Sequence, residues 1–214
     1  MPKSDIRDTV VRDLLRRKPM FTSADALALT RGRPTHVSRT LTQMAARGAL
    51  AKVTRGVWAN TAHPMFSPYL MVGYLHARWS VPLYVTSATA LHLHGMLSQI
   101  PREIHLATTR PRPILRTSIG TYVFHGMPVA LLSGTEPGDE WGRFERATPE
   151  KALFDTVYLS LHRGKLWRHL PEIELSSGWS WDAWTPWLGK IKFLPVRRAM
   201  ETARERMAST LTEG

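Results

Sequence analysis

From Arg31 to Arg55 the chain carries no acidic residue, and Gly32, Pro34, Gly48 and Gly56 cut that stretch into pieces too short for more than one helix and one hairpin. Pro34 or Thr35 can open the helix and Gly48 can close it. Val37, Leu41 and Met44 then form a buried stripe. The opposite face carries Thr35, Arg39, Thr42 and Ala46, flanked by His36, Ser38 and Gln43. Beyond Gly48, Leu50, Val53, Val57 and Trp58 give two short strands their apolar side chains. The triplet "TRG" turns the chain between them, with Gly56 able to take a positive φ. Arg55 stands at that tip, with Lys52 and Thr54 beside it.

Two further helices are expected upstream. In "SDIRDTVVRDLLRRK", Ile6, Val10, Leu14 and Leu15 share one stripe, Ser4 can cap the start, and Arg16 to Lys18 suit the C-terminal end of the dipole. In "FTSADALAL", Thr22 is an N-cap and Asp25, three residues on, can bond back to it; Phe21 sits where a hydrophobic staple would. Three short helices with a tight turn between the second and third describe a helix-turn-helix, and a hairpin directly after it is a wing.

The chemistry of the third helix suits a major groove. An Arg there can pair with guanine and a Gln with adenine. Solvated helix faces usually mix Glu with Lys, and this one has neither. The residues expected to meet DNA are Arg33, Thr35, His36, Ser38, Arg39, Thr42 and Gln43. On the wing, Lys52, Thr54 and Arg55 would meet phosphate or the minor groove.

The charge is distributed in the same sense. The chain's formal net charge is +12, and residues 1–63 hold 12 Lys and Arg against 4 Asp and Glu, or +8. An excess concentrated in a small segment suits a polyanion partner, with solubility as the plainer explanation. With no cysteine, there is no disulfide framework. No apolar run is long enough to span a bilayer, and the N-terminus lacks the apolar core of a secretory signal. The expectation is a soluble, cytoplasmic protein with no membrane partner.

"TAHPMFSP" (61–68) reads as a linker, so the expected division is a winged helix-turn-helix domain at 1–63 and a second domain at 64–214. In the second, a helix is expected at about 67–79. "LYVTSATALHLHGM" should enter as a strand and continue as a helix ended by Gly95. Short strands are expected at about 103–108, 113–118, 120–126 and 128–132. "FERATPEKALFDTVYLSLHRG" predicts a strand, then a helix capped by Thr148, opened by Pro149 and stopped by Gly164. "PVRRAMETARERMAS" predicts a last, exposed helix. The fold class is α+β: an N-terminal winged helix-turn-helix, then a mixed α/β domain with a small, mostly antiparallel sheet.

A winged helix-turn-helix ending in "RGVW", followed in order by "YVTSATALHLHGM", "IHLATTRPR" and "ATPEKALFDTVYL", resembles the AbiEi-type antitoxins of type IV toxin–antitoxin pairs. The resemblance covers roughly residues 10 to 165 and rests on order and spacing. It implies a transcriptional repressor that binds inverted repeats in its own promoter, and a C-terminal domain that counters a nucleotidyltransferase-like toxin. It also implies a role in phage defence. The alternative is a plain winged-helix regulator whose C-terminal domain senses a ligand or partner.

Enzymatic constellations are not found in the sequence. His92 and His94 lie two apart on an expected helix and point in different directions, so they cannot share a metal ion. Glu150 and Asp155 are five apart and poorly aligned for a metal-dependent nuclease. "LSGTEPGDE" lacks the order of a nucleotidyltransferase loop, and no Gly-rich phosphate loop carries a Lys. No catalytic residue, metal or cofactor is expected. "TTRPRPILR" carries Arg110, Arg112 and Arg116 without an acid, suited to phosphate, to an acidic partner surface, or to solvent. Trp179, Trp181, Trp184 and Trp187 are expected to pack, with an interface role as the alternative. Dimerisation on DNA would follow from an inverted repeat.

Overall fold

The computed structural model describes residue 14 and residues 16–30, 33–162 and 173–211. It is an α+β fold that divides into two compact units: Met1–Leu70 with Arg116–Gly120, and Met71–Leu115 with Thr121–Gly214.

In the first unit, Leu14, Arg16 and Arg17 are helical, and Leu14 is buried in the unit's core. Ser4, Ile6, Val10 and Leu15 lie outside the described residues. Strand β1 (Met20–Thr22) follows, then α1 (Ser23–Thr30), α2 (Pro34–Ala46), β2 (Ala51–Thr54) and β3 (Val57–Ala59). The three strands pair antiparallel in the order β1-β3-β2, with Phe21 opposite Trp58 on one side and Lys52 opposite Trp58 on the other. β1 is an addition to the expected two-stranded hairpin. Three residues after a proline carry too little pattern to announce a strand, and its pairing with β3 spans nearly forty residues of sequence.

Local signals explain both helices. The Thr22 N–H donates to Asp25 Oδ2 at 2.8 Å and the Asp25 N–H donates to Thr22 Oγ1 at 3.0 Å, a reciprocal cap. Burial opposes ionisation of Asp25, but the Thr22 N–H and hydroxyl and the Lys18 ammonium outweigh it and hold the carboxyl below its usual range. Pro34 occupies the first turn of α2. At the other end, Gly48 (φ +73°) donates to the Ala45 carbonyl and Ala49 to the Met44 carbonyl, which closes α2 in a Schellman motif. Val37 and Leu41 join Leu14, Phe21, Ala26, Leu50 and Trp58 in one core. The Trp58 indole N–H donates to Ser23 Oγ at 2.9 Å, and the Ser23 N–H donates to the Gly56 carbonyl at 2.9 Å. The start of α1 is thus tied to the β2–β3 turn.

From residue 70 the chain runs α3 (Leu70–Trp79), β4 (Leu83–Val85), α4 (Ser87–Leu93), β5 (Ile104–Thr108), β6 (Leu115–Thr117), β7 (Gly120–Gly126), β8 (Thr135–Pro137), β9 (Glu145–Ala147), α5 (Pro149–His162), α6 (Thr185–Lys190) and α7 (Leu194–Leu211), with Arg116 and Thr117 of β6 and Gly120 of β7 grouped with the first unit and the rest forming the second apart from Leu70. The six-stranded sheet built from these strands has the order β6-β7-β5-β4-β9-β8. It is mixed where a mostly antiparallel sheet was expected. β4/β5 and β8/β9 are antiparallel, but β4/β9 and β5/β7 are parallel. Alternation in the sequence reveals strands and not their partners. The expected strand at 128–132 is a 3-10 turn at Val129–Leu131, because the chain folds back after Pro128 and the Leu131 N–H donates to the Pro128 carbonyl. Gly95 (φ +70°) ends α4 as its sequence indicates. The proposed stop of α5 at Gly164 lies outside the described residues.

Two of the four clustered tryptophans are core. Trp184 is fully buried, meets the Phe154 ring edge-on at 5.3 Å, and donates its indole N–H to the Glu150 carbonyl at 3.1 Å. Trp187 is buried against the same ring at 5.3 Å. Trp179 and Trp181 are half-buried and stack edge-on at 5.0 Å.

Candidate nucleic-acid interface

The first unit brings the residues of α2 and the β2–β3 hairpin into one compact body. Burying Val37 and Leu41 turns the opposite side of α2 to solvent. Thr35, His36, Ser38, Arg39, Thr42 and Gln43 are all exposed, as is Arg33 just before the helix. Lys52 and Arg55 are exposed and Thr54 is half-buried. Arg55 sits directly before Gly56, whose φ of +77° makes the turn.

The electrostatics of this surface are one-sided. Arg33, Arg39 and Arg55 make no ion pair among the described residues. Asp25, the nearest acid before this stretch in sequence, is held by Thr22 and lies 3.6 Å from Lys18. Lys52 lies with its ammonium 5.8 Å from the Trp58 ring centre, a distant cation–π contact that leaves it exposed. Thr42 is already engaged: its hydroxyl donates to the Ser38 carbonyl at 2.8 Å. Chemically, the surface offers guanidinium and amide donors at helix spacing, with a cationic hairpin tip.

The three arginines of "TTRPRPILR" do not act as one element. Arg110 is exposed in the second unit. Arg112 is half-buried, its guanidinium 4.0 Å above the Trp79 ring, so it packs where an open anion contact was expected. Arg116 is exposed and belongs to the first unit.

The second unit holds a polar cluster that the sequence reading missed. Lys151 and Asp155, one turn apart on α5, form an ion pair with both side chains fully buried. Tyr84 and Thr86 donate their hydroxyls to Asp155 Oδ2 at 2.9 and 2.7 Å. Burial pushes the Lys151 ammonium down, with Asp155 opposing that shift; burial and Asp155 together push the Tyr84 phenol well up. The signal was present as a Lys and an Asp at i and i+4 within an apolar helix. The same spacing is ordinary on solvated helix faces and does not announce burial. With every member buried, the cluster has no opening for a substrate and reads as core.

The histidines also have structural partners. The His92 ring lies 3.0 Å from the Leu97 carbonyl, and the His94 ring donates to the Ala147 carbonyl at 2.8 Å. His94 is also 3.9 Å from Glu136, but burial pushes its pKa down and keeps the ring neutral, so this is no ion pair. His105 and His125, on adjacent strands, stack and share a 2.9 Å ring-to-ring hydrogen bond. Among the described residues no three His, Asp or Glu side chains gather as a metal site. No described helix is long and apolar enough to cross a membrane. An open groove of about 420 Å³ lies between Val129, Tyr158, Ile191 and Phe193, with Lys190 and Lys192 on its wall.

No family model matches the chain, and no curated protein matches it in sequence. Among solved structures, the fold is similar to that of the Rv2827c protein from Mycobacterium tuberculosis, with a TM-score of 0.52 and 18% identity over 94% of this chain and 78% of that one.

Proposed function

We propose that the first unit is a winged helix-turn-helix that binds double-stranded DNA, with α2 as the recognition helix and the β2–β3 hairpin as the wing. The observation that carries this reading is the exposed, acid-free face of α2 together with Arg55 at the hairpin turn, none of whose arginines has an internal counter-ion among the described residues. An arginine face kept without carboxylates is suited to phosphates and base edges. The protein then acts as a cytoplasmic repressor of its own promoter. Following the resemblance to AbiEi-type antitoxins, it also counters a nucleotidyltransferase-like toxin without catalysis of its own.

Gel-shift titration of the full chain on its own upstream DNA and on a random duplex tests the DNA reading. Tighter binding to the upstream DNA is expected, and no shift on either at low salt removes the reading. The antitoxin role is tested by expressing the neighbouring toxin from a foreign promoter. The Arg39→Ala/Arg55→Ala double variant should still rescue growth; failure of the wild-type chain to rescue removes that role.

The groove at Val129 and Phe193 favours a second reading of the C-terminal half, as the sensor of a ligand or partner in a plain regulator. Promoter binding that persists in a strain lacking any toxin gene, and that changes with a small molecule, would select it.

A further inference from the structure

Arg116–Gly120 is separated by about fifty residues of sequence from the rest of the first unit, yet belongs to it. The segment is internally braced: Thr117 Oγ1 donates to the Gly120 carbonyl at 2.8 Å and accepts from the Ile119 N–H at 3.2 Å. It is fastened to the hairpin at one point, where Ser118 Oγ donates to the Lys52 carbonyl at 3.0 Å. Lys52 lies on β2, one of the two edge strands of the three-stranded sheet. An edge strand presents unpaired backbone groups, and Ser118 satisfies one of them. Arg116 stands two residues away, exposed and without an ion pair among the described residues. From residue 104 to residue 135 the sequence contains no acid, so this segment brings no charge of the opposite sign with it.

We infer that the DNA-facing surface is built from two distant stretches of chain: Arg116–Gly120 docks on β2 through Ser118 and supplies Arg116 as a further contact to the phosphates of double-stranded DNA, beside Lys52 and Arg55. The inference rests on the DNA reading above and extends it to a segment outside the helix-turn-helix and its wing. Ser118 is a positioning residue. Arg116 is the contact. A phosphate contact carries no base preference, so its loss acts on all sequences alike and reduces the counter-ions released on binding.

The experiment uses the full chain and fluorescence anisotropy on two labelled duplexes, the chain's own upstream DNA and a random sequence, over a range of salt. Arg116→Gln should reduce the slope of log affinity against log salt by about 0.9 and weaken specific and random duplexes by the same factor. Arg116→Lys should keep the wild-type slope, because an ammonium also neutralises a phosphate. Ser118→Ala should lose part of the slope and Ser118→Thr should recover it, a rescue that a general loss of stability would not give. Arg198→Gln on α7 removes the same charge from an exposed site of the second unit and should leave the slope unchanged. A wild-type slope in Arg116→Gln overturns the inference, as does an equal loss in Arg198→Gln. Failure of the wild-type chain to bind either duplex at low salt overturns the DNA reading itself, a result distinct from either.

Discussion

In the first unit the arginines of α2 and its hairpin stand in solvent with no carboxylate against them among the described residues, whereas several cations of the second unit are set against acids of its own. There Arg143 meets Asp139 at 2.6 Å, Arg146 meets Glu136 at 2.9 Å and Arg197 meets Glu201 at 3.0 Å, while Lys151 is buried against Asp155. Both units contain basic residues, so the presence of cations alone does not separate them. The separation lies in where the acids are. A cation next to its own acid contributes to the fold, or to nothing measurable if exposed. A cation that the chain leaves without one is open to a partner. Substitutions in the second unit should therefore be read in stability, and those on the α2 face in binding.

The largest effect is expected at Asp155. Asp155→Ala leaves the Lys151 ammonium buried without its carboxylate and removes the acceptor of the Tyr84 and Thr86 hydroxyls. It should cost about 3–5 kcal/mol in urea unfolding, while the fraction still folded binds DNA as before. A cost below about 1 kcal/mol would mean that the pair behaves as a solvated one and would break the contrast.

Arg39→Ala should do the reverse. It should lose about 1–3 kcal/mol of binding to the preferred DNA and relax sequence preference, with an unchanged melting temperature. Arg55→Ala should weaken preferred and random DNA together. Identical behaviour of the two in competition binding would show that α2 does not read base edges.

A smaller effect is expected where the first unit does use an acid for its own fold. Asp25→Ala removes the reciprocal cap of α1 and should cost about 1 kcal/mol near neutrality. Asp25 has its carboxyl pKa lowered by folding, so its contribution is present above the unfolded value of about 3.9 and is lost as pH falls through the lower folded value. The gap between wild type and variant should begin to close below pH ~4 and vanish once pH is under the lower folded value. A constant gap there would assign the loss to contacts that do not need an ionised carboxylate.

The smallest effect belongs to Arg197 and Glu201, an exposed pair one turn apart on α7. A double-mutant cycle should give a coupling of about 0.5 kcal/mol or less that high salt removes. A coupling well above that would place the pair with the buried charges of its unit.

Short-range signals were legible in the sequence and long-range ones were not. Thr22 and Asp25 announced their cap, Pro34 and Gly48 bounded α2, and Val37 and Leu41 gave its buried face, because each depends on neighbours within a turn or two. The same is true of Gly95 and of Pro149. β1 was invisible because it is a strand only by virtue of β3. Arg112 gave no sign that Trp79 would cover it, since stacking across 33 positions leaves no local spacing. Lys151 and Asp155 did leave one, but burial of a charge is set by the surrounding layers and not by the helix that carries it. Residues 116–120 join the first unit for reasons that only tertiary structure contains.

The hydrogen bond from Thr42 to the Ser38 carbonyl leaves that hydroxyl with lone pairs and a methyl group but no proton to give. On a base-reading surface that is a restrictive choice. Such a side chain cannot donate to guanine O6 or thymine O4, yet it can accept from the amino groups of adenine or cytosine, and its methyl can lie against the C5-methyl of thymine. Two neighbouring positions on one helix, Arg39 as a pure donor and Thr42 as a pure acceptor or apolar contact, thus impose opposite demands on the bases they face. If α2 reads base edges as proposed, an operator that satisfied both would be asymmetric within each half-site, and that asymmetry would fix the direction in which α2 lies along the groove.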